Sequence, residues 1–311
     1  MTMSLIASIL TLTNLCGSVS VDTFGGRVTS YVPAGGEEVL ATLRDGSGGI
    51  ALCWPWFAND GPEGCRRHGL ARYREFTVVG RTETPRLSEL VLRLVSDADT
   101  RRVFPHDFAL TVTVRLGETL TVELCGENTG ATPFCVTEML HPYFRVGSAR
   151  ECRVRGLDGC RYRDNVHPEL GDGRTWAGDY AVAEGSKVFA FADGGEHRWE
   201  LVDPVLSRVL SFSSSGDLKT VVWSPGEATA KGKNVTSKLA PGEWRTFVCV
   251  ENGTCYGDQS YELKPGERHK LVRTVAVTRA GGLIFGRVAR DGCFGIIPPL
   301  EINPQKQAEA K

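Results

Sequence analysis

A glutamate at the end of an apolar segment is the first candidate for acid–base chemistry. Glu251 follows Thr246-Phe247-Val248-Cys249-Val250, which is apolar on both faces and typical of a central strand in stacked sheets. Strand alternation places its side chain on the same face as Phe247 and Cys249. Burial there would raise the carboxyl pKa toward the range of a general base. A surface glutamate at a strand end is the alternative.

Two histidines lie in separate local clusters. His141 belongs to Leu140-His141-Pro142-Tyr143-Phe144-Arg145, where the proline limits the local backbone. By itself it fits a structural hydrogen-bonding role as well as a catalytic one. His68 opens His68-Gly69-Leu70-Ala71-Arg72 in a loop rich in glycine and arginine, which favours a polar role over core burial.

The remaining chemical signals are weaker. Trp54 and Trp56 flank Pro55, and such a pair serves either the core or a ligand platform. The sequence has no phosphate loop, dinucleotide fingerprint or nucleophile elbow. Its ten cysteines show neither Cys-x-x-Cys pairs nor zinc spacing, so we expect buried thiols and no metal.

Composition narrows the class of partner. The chain of 311 residues has 36 Lys+Arg against 37 Asp+Glu, a formal net charge of −1, which argues against nucleic-acid or acidic-membrane binding. It contains no apolar run of about 18 residues, so no transmembrane helix is expected. Ser4 to Leu10 fits a strand better than a signal peptide. We therefore expect a soluble cytoplasmic protein.

Alternating apolar residues dominate the chain. Leu110 to Leu116 and Leu120 to Leu124 predict a hairpin closed by a two-residue turn, Gly117-Glu118. Leu90 to Leu94 and Thr220 to Trp223 predict further strands. With 36 glycines and 15 prolines leaving room for little helix, the class is all-β, and a large sandwich fits this length.

We expect one domain over residues 1–280. Residues 281–311 then form a C-terminal tail, partly disordered, whose apolar middle would dock on the domain.

These motifs together resemble the hexose-6-phosphate mutarotase (glucose-6-phosphate 1-epimerase) branch of the aldose 1-epimerase superfamily. The resemblance covers about residues 8–278. The family run Gly-Gly-Ile-Pro-Ile-Cys-Trp-Pro-Trp-Phe is matched by residues 48–57 except at Ala51 and Leu52, and His-Gly-Phe-Ala-Arg by 68–72 except at Leu70. Leu-His-x-Tyr-Phe is matched by 140–144, Val-Val-Trp-Asn-Pro by 221–225 except at Ser224, and Val-Cys-Val-Glu by 248–251.

The resemblance implies a galactose-mutarotase-like β-supersandwich that uses no cofactor and interconverts α and β anomers at C1 of a sugar. Glu251 would be the base that takes the O1 proton, and His141 the acid that protonates the ring oxygen. His68 would hold and polarise sugar oxygens. Asp203, in Leu201-Val202-Asp203-Pro204, would bind ring hydroxyls, although its type and position also suit a turn.

One departure concerns phosphate. The phosphosugar branch commonly has an arginine before Gly-Gly-Ile, where this chain has Ser47. Nearby arginines could compensate, because guanidinium groups bind phosphate in a bidentate way. The predicted substrate-binding residues are His68, Arg72, Asp203, Trp54, Arg66, Arg67 and Arg145.

Two alternatives remain open beside glucose 6-phosphate. A mutarotase of free aldoses would share Glu251 and His141 but lack affinity for phosphate. A non-catalytic carbohydrate-binding protein would keep the tryptophans and need no acid and base together. The expected partner is a small-molecule phosphosugar substrate, and we expect a monomer.

Overall fold

The computed structural model describes residues 9–170, 173–191, 195–227, 239–255 and 260–279. Most of the strand predicted from Ser4 lies outside these ranges, and the first described strand begins at Ile9. The predicted domain boundary at residue 280 and the tail 281–311 also lie outside the described residues.

Short strands account for most of the described chain, which confirms the all-β class. The strands are β1 (Ile9–Asn14), β2 (Gly17–Asp22), β3 (Arg27–Pro33), β4 (Ile50–Cys53), β5 (Thr77–Glu83), β6 (Ser88–Val95), β7 (Phe108–Leu116), β8 (Leu120–Asn128), β9 (Phe134–Val136), β10 (Met139–Arg145), β11 (Arg153–Arg155), β12 (Arg161–Asp164), β13 (Arg174–Thr175), β14 (Tyr180–Ala181), β15 (Gly185–Ala190), β16 (His197–Asp203), β17 (Arg208–Ser215), β18 (Lys219–Ser224), β19 (Phe247–Gly253), β20 (Tyr261–Leu263) and β21 (Arg268–Arg279). Helical structure in the described ranges includes α1 (Ala98–Arg101) and 3₁₀ turns at Ala71–Tyr73, Ala149–Glu151, Pro168–Leu170 and Glu243–Arg245.

Two large antiparallel sheets contain most of these strands. The ten-stranded sheet has the order β1-β2-β3-β4-β10-β19-β18-β15-β12-β13, and the nine-stranded sheet has the order β14-β11-β16-β17-β21-β8-β7-β6-β5. A small third sheet pairs β20 with β9. The predicted central strand is therefore β19, which lies between β10 and β18 and is buried along its whole length.

One hydrophobic core joins the two large sheets. Leu52, Leu140 and Val250 of the ten-stranded sheet belong to the same buried cluster as Leu110 and Leu210 of the nine-stranded sheet. Alternation leaves the other face of β19 to Phe247 and Cys249, which form a separate apolar cluster. The face of the ten-stranded sheet turned away from the shared core is thus partly apolar as well.

The predicted hairpin is confirmed, but the predicted two-residue turn is wrong. Leu116 pairs with Leu120, so the loop has three residues, and the Gly117 N–H donates to the Thr119 carbonyl. Directly opposite residues share a face of the sheet, so this register keeps both leucines in the core. A one-residue slip would turn one of the two strands over.

Candidate active site

Glu251 and His141 face each other across two neighbouring strands. On either side of them, Leu140 pairs with Asn252 and Tyr143 pairs with Cys249, so the antiparallel register places His141 of β10 opposite Glu251 of β19. The distance from His141 Nε2 to Glu251 Oε1 is 3.4 Å, and the two side chains are only 7% and 2% exposed. The pair therefore lies on the outer face of the sheet, beside Cys249.

Burial changes where the proton of this pair resides. It raises the pKa of Glu251 to about 8, against the opposing effect of the guanidinium groups of Arg72, Arg273 and Arg67. Burial, assisted by Arg72, holds the pKa of His141 well below its ordinary value. Near neutral pH the pair thus carries one proton, and in the free site that proton resides on Glu251.

His68 lies beside the pair on a tightly constrained loop. Its ring packs edge-on against His141, with 5.3 Å between ring centroids, and against Phe57 at 5.0 Å. The Ala58 N–H donates to His68 Nδ1 at 3.3 Å, so the ring proton is on Nε2. Burial, with His141 and nearby arginines, lowers the His68 pKa strongly and keeps this imidazole neutral.

The glycine after His68 explains part of the motif. Gly69 has φ +78°, and a Cβ there would lie 2.0 Å from the Trp54 carbonyl oxygen. Only glycine allows this close approach. The loop is thereby held against the strand that precedes it, which sets the position of His68.

Arg72 and Arg67 supply positive charge to the site. Arg72 Nε donates to the Leu52 carbonyl at 3.0 Å, and its Nη2 lies 3.3 Å from Cys53 Sγ. Both arginines lower the pKa of Glu251. Arg66 lies elsewhere: its guanidinium is 4.7 Å from the Tyr73 ring centroid, and its carbonyl accepts from Trp56 Nε1.

Trp54 and Asp203 do not take the predicted substrate-binding positions. Trp54 has no exposed surface and packs in the inter-sheet core against Phe104 and Phe108, so a sugar cannot reach it. Asp203 is also buried, and its two carboxylate oxygens accept the N–H groups of Gly147 and Leu206 at 3.0 and 3.1 Å. It holds two loops together, in agreement with the turn alternative.

Arg145 also lies away from the pair. It shares a face of β10 with His141 but lies four residues further along, about 13 Å in an extended strand. Its Nη1 is 3.4 Å from Glu37 Oε2, and its carbonyl accepts from Arg208. The structure thus assigns Arg145 to the strand end and not to the site.

Ser47, where the resemblance led us to expect arginine, belongs to a turn. Its hydroxyl and its backbone N–H both contact Asp45 Oδ1, at 2.5 and 2.9 Å. The side chain therefore serves its own loop.

An aromatic support beneath His141 was missed from the sequence. Tyr143 stacks on the imidazole with 4.9 Å between centroids and 10° between planes, and it packs edge-on against Trp223. Residues two apart on a strand share a face, so the His141-Pro142-Tyr143 spacing contained this signal.

His141, Cys249 and Glu251 could in principle hold a metal ion, because their ligand atoms lie within 4.8 Å of one another. Zinc binds such atoms at about 2.0–2.3 Å and needs cysteine as thiolate. Burial raises the Cys249 pKa well above its ordinary value and keeps the thiol protonated. The charge state thus suits proton transfer better than metal binding.

The fold and the site define a member of a known family. The sequence profile of the aldose 1-epimerase family matches residues 8–275, so the chain belongs to that family. It is accordingly an isomerase, as the motifs predict.

Individual proteins and solved structures that resemble this chain point to one branch of the family. A protein of Escherichia coli K12, provisionally named glucose-6-phosphate 1-epimerase, is 28% identical over 270 residues, covering 82% of this chain and 85% of the relative. A protein of Cenchrus ciliaris with the same provisional name is 27% identical over 308 residues, covering 93% and 86%. The provisionally assigned mutarotase YeaD of Salmonella typhimurium superimposes with a TM-score of 0.76 at 26% identity, covering 87% and 90%.

The predicted galactose-mutarotase-like fold is also confirmed. A galactose mutarotase-like protein of Lactobacillus casei superimposes with a TM-score of 0.69 at 16% identity, covering 87% of this chain and all of that chain.

Proposed function

We propose that this protein interconverts the α and β anomers of a hexose 6-phosphate, with glucose 6-phosphate as the preferred substrate. The observation that carries the proposal is the buried His141–Glu251 pair, 3.4 Å apart on facing strands, with His68 and Arg72 beside it. The names of the similar Escherichia coli and Cenchrus ciliaris proteins support the choice of a phosphosugar.

In the proposed ring opening, Glu251 gains one proton and His141 loses one, so the pair as a whole keeps a single proton. Glu251 accepts the O1 proton as His141 donates to the ring oxygen, and the C1–O5 bond breaks to give the open aldehyde. After rotation about C1–C2, O5 attacks the other face of C1 and the two residues reverse their roles. The direct Nε2–Oε1 contact lets the single proton move from Glu251 to His141 before ring opening. With its ring proton on Nε2, His68 can donate to a sugar oxygen.

The pH dependence follows from the pair holding one proton. Since the pKa of Glu251 is raised to about 8, raising the pH above that value removes the last proton, and no acid remains. We expect kcat/KM to fall about tenfold per pH unit above about pH 8. Anomer exchange measured by NMR between pH 7 and 10 tests this, in a range where the substrate phosphate does not titrate. A rate that rises through pH 8 would instead identify the fully deprotonated pair as the active form.

Substitution of Arg67 gives the clearest test of phosphate recognition. Substitution of Arg72 would also remove its hydrogen bond to the Leu52 carbonyl and so disturb the loop. We expect Arg67→Ala to raise KM for glucose 6-phosphate at least about tenfold, since a charge-assisted hydrogen bond contributes about 1.5–3 kcal/mol. The weak reaction with free glucose should barely change. Arg66→Ala is the matched control, because Arg66 is adjacent in sequence but stacks on Tyr73.

Side-by-side NMR exchange with glucose 6-phosphate and glucose tests the substrate. If glucose reacts as efficiently as its 6-phosphate, and Arg67→Ala affects both alike, the protein is a mutarotase of free aldoses.

A cytoplasmic location, a monomeric state and the absence of a nucleic-acid partner are part of the same proposal. The balanced charge supports the absence of a nucleic-acid partner, and the free thiols of the described cysteines support a cytoplasmic location. Within the described ranges, no helix is long and apolar enough to cross a membrane.

A further inference from the structure

Arg273 is an arginine buried completely between the two large sheets. It belongs to β21, and its guanidinium lies 4.7 Å from the Phe212 ring centroid and 5.0 Å from that of Trp199. Burying a charge is costly unless it is paired and hydrogen-bonded. Arg273 makes one side-chain hydrogen bond, from Nε to Asn252 Oδ1 at 2.8 Å, and its two terminal nitrogens have no hydrogen-bond partner among the described residues.

The acceptor of that bond is the residue next to Glu251. Asn252 is fully buried on the core face of β19, and its Nδ2 also donates to the Val272 carbonyl at 3.3 Å. Both polar atoms of the Asn252 side-chain amide thus form hydrogen bonds that link β19 to β21. On the other side, Thr220 Oγ1 of β18 donates to the Glu251 carbonyl at 2.5 Å. The backbone around Glu251 is therefore held by β18 of its own sheet and by β21 of the facing sheet.

We propose that Arg273 is a positioning residue for Glu251. From the core side of the sheet it fixes Asn252, and with it the strand segment that carries the base, and it places a positive charge behind the carboxylate. This inference rests on the proposed function, in which Glu251 is the base.

The positive charge of Arg273 acts on the Glu251 carboxyl from the core side, and the charges of the outer face act on it as well. Arg72 and Arg67 approach from the loop after β4, and His141 approaches from β10. Four groups that burial keeps neutral also face the carboxyl: the thiols of Cys53, Cys249 and Cys255 and the phenol of Tyr143. Arg273 lowers the pKa of Glu251, whereas Asp217 and Glu251 raise that of Arg273. Burial lowers the Arg273 pKa to about 9, so the guanidinium stays charged at neutral pH.

The test compares Arg273→Met, which removes the charge, with Arg273→Lys, which keeps it. The Glu251 carboxyl is titrated without substrate by NMR of ¹³C-labelled glutamate, assigned by the loss of its signal in Glu251→Gln. We expect Arg273→Met to move the Glu251 midpoint and the alkaline fall of kcat/KM to higher pH. It should also lower kcat at least about tenfold with KM changed less than about twofold. Arg273→Lys should return the midpoint toward that of wild type.

A folded Arg273→Met protein with an unchanged Glu251 midpoint and kcat within about twofold of wild type overturns the proposal. If Arg273→Met does not fold, Asn252→Ala provides the test. This substitution removes the hydrogen bond between Asn252 and Arg273 but leaves the guanidinium charge in place. It should lower kcat without moving the midpoint, and kcat within about twofold of wild type would overturn the positioning role. If wild type does not exchange glucose 6-phosphate anomers, the proposed function fails, whereas the Glu251 titration still reports on Arg273.

Discussion

Glu251→Gln should lower kcat for glucose 6-phosphate exchange by about 10²–10⁴, the usual loss when one positioned general base is removed. Glutamine has the size of glutamate and cannot take a proton from O1. Because the pKa of Glu251 is raised to about 8, the carboxyl is mostly uncharged at pH 7, so the amide should be tolerated at this buried position. The measurement is NMR magnetisation transfer between the two anomers, with circular dichroism and Tm to confirm folding.

Glu138→Gln provides the matched control. Glu138 is equally buried, but its Oε1 forms a hydrogen bond of 2.5 Å with His269 Nδ1, away from the His141–Glu251 pair. We expect its substitution to change Tm and leave kcat nearly unaltered. If Glu251→Gln kept more than about a third of wild-type exchange, the loss would be well under about 1 kcal/mol, and the base would have to be another residue.

His141→Asn should also lower kcat by about 10²–10⁴, with a smaller change in KM. Donation to the ring oxygen matters only as the C1–O5 bond breaks, so its loss affects the transition state more than substrate binding. The double variant with Glu251→Gln should be little worse than either single variant, since the two residues share one proton. Exchange rates at several substrate concentrations separate kcat from KM.

His68→Asn distinguishes the roles of the two histidines. His68 presents Nε2–H as a donor and its neutral ring lies beside the pair, so we expect its substitution to raise KM as well as lower kcat. Identical kinetic profiles for His141→Asn and His68→Asn would show that the assignment of acid and binding residue is wrong.

The local features of this protein follow from its amino-acid sequence alone. Alternation in the segments of β6, β7 and β8 predicted these strands, because a half-buried strand repeats every two residues. The apolar run before Glu251 predicted a buried central strand, and the same alternation placed Glu251 on a face with Cys249. The motifs predicted the family. They also predicted His141 and Glu251 as the acid and the base, two residues that lie 110 positions apart in the sequence.

Features that depend on contacts between distant segments are set by the tertiary fold. Alternation gives the face of a residue within its own strand, but not which strand lies beside it or which face meets the core. Trp54 was therefore predicted to bind substrate but lies in the core. Asp203 instead holds two loops together, and Arg145 pairs with the carboxylate of Glu37. For the same reason no local pattern revealed Arg273, whose link to Glu251 exists only because two sheets stack and bring β21 behind β19.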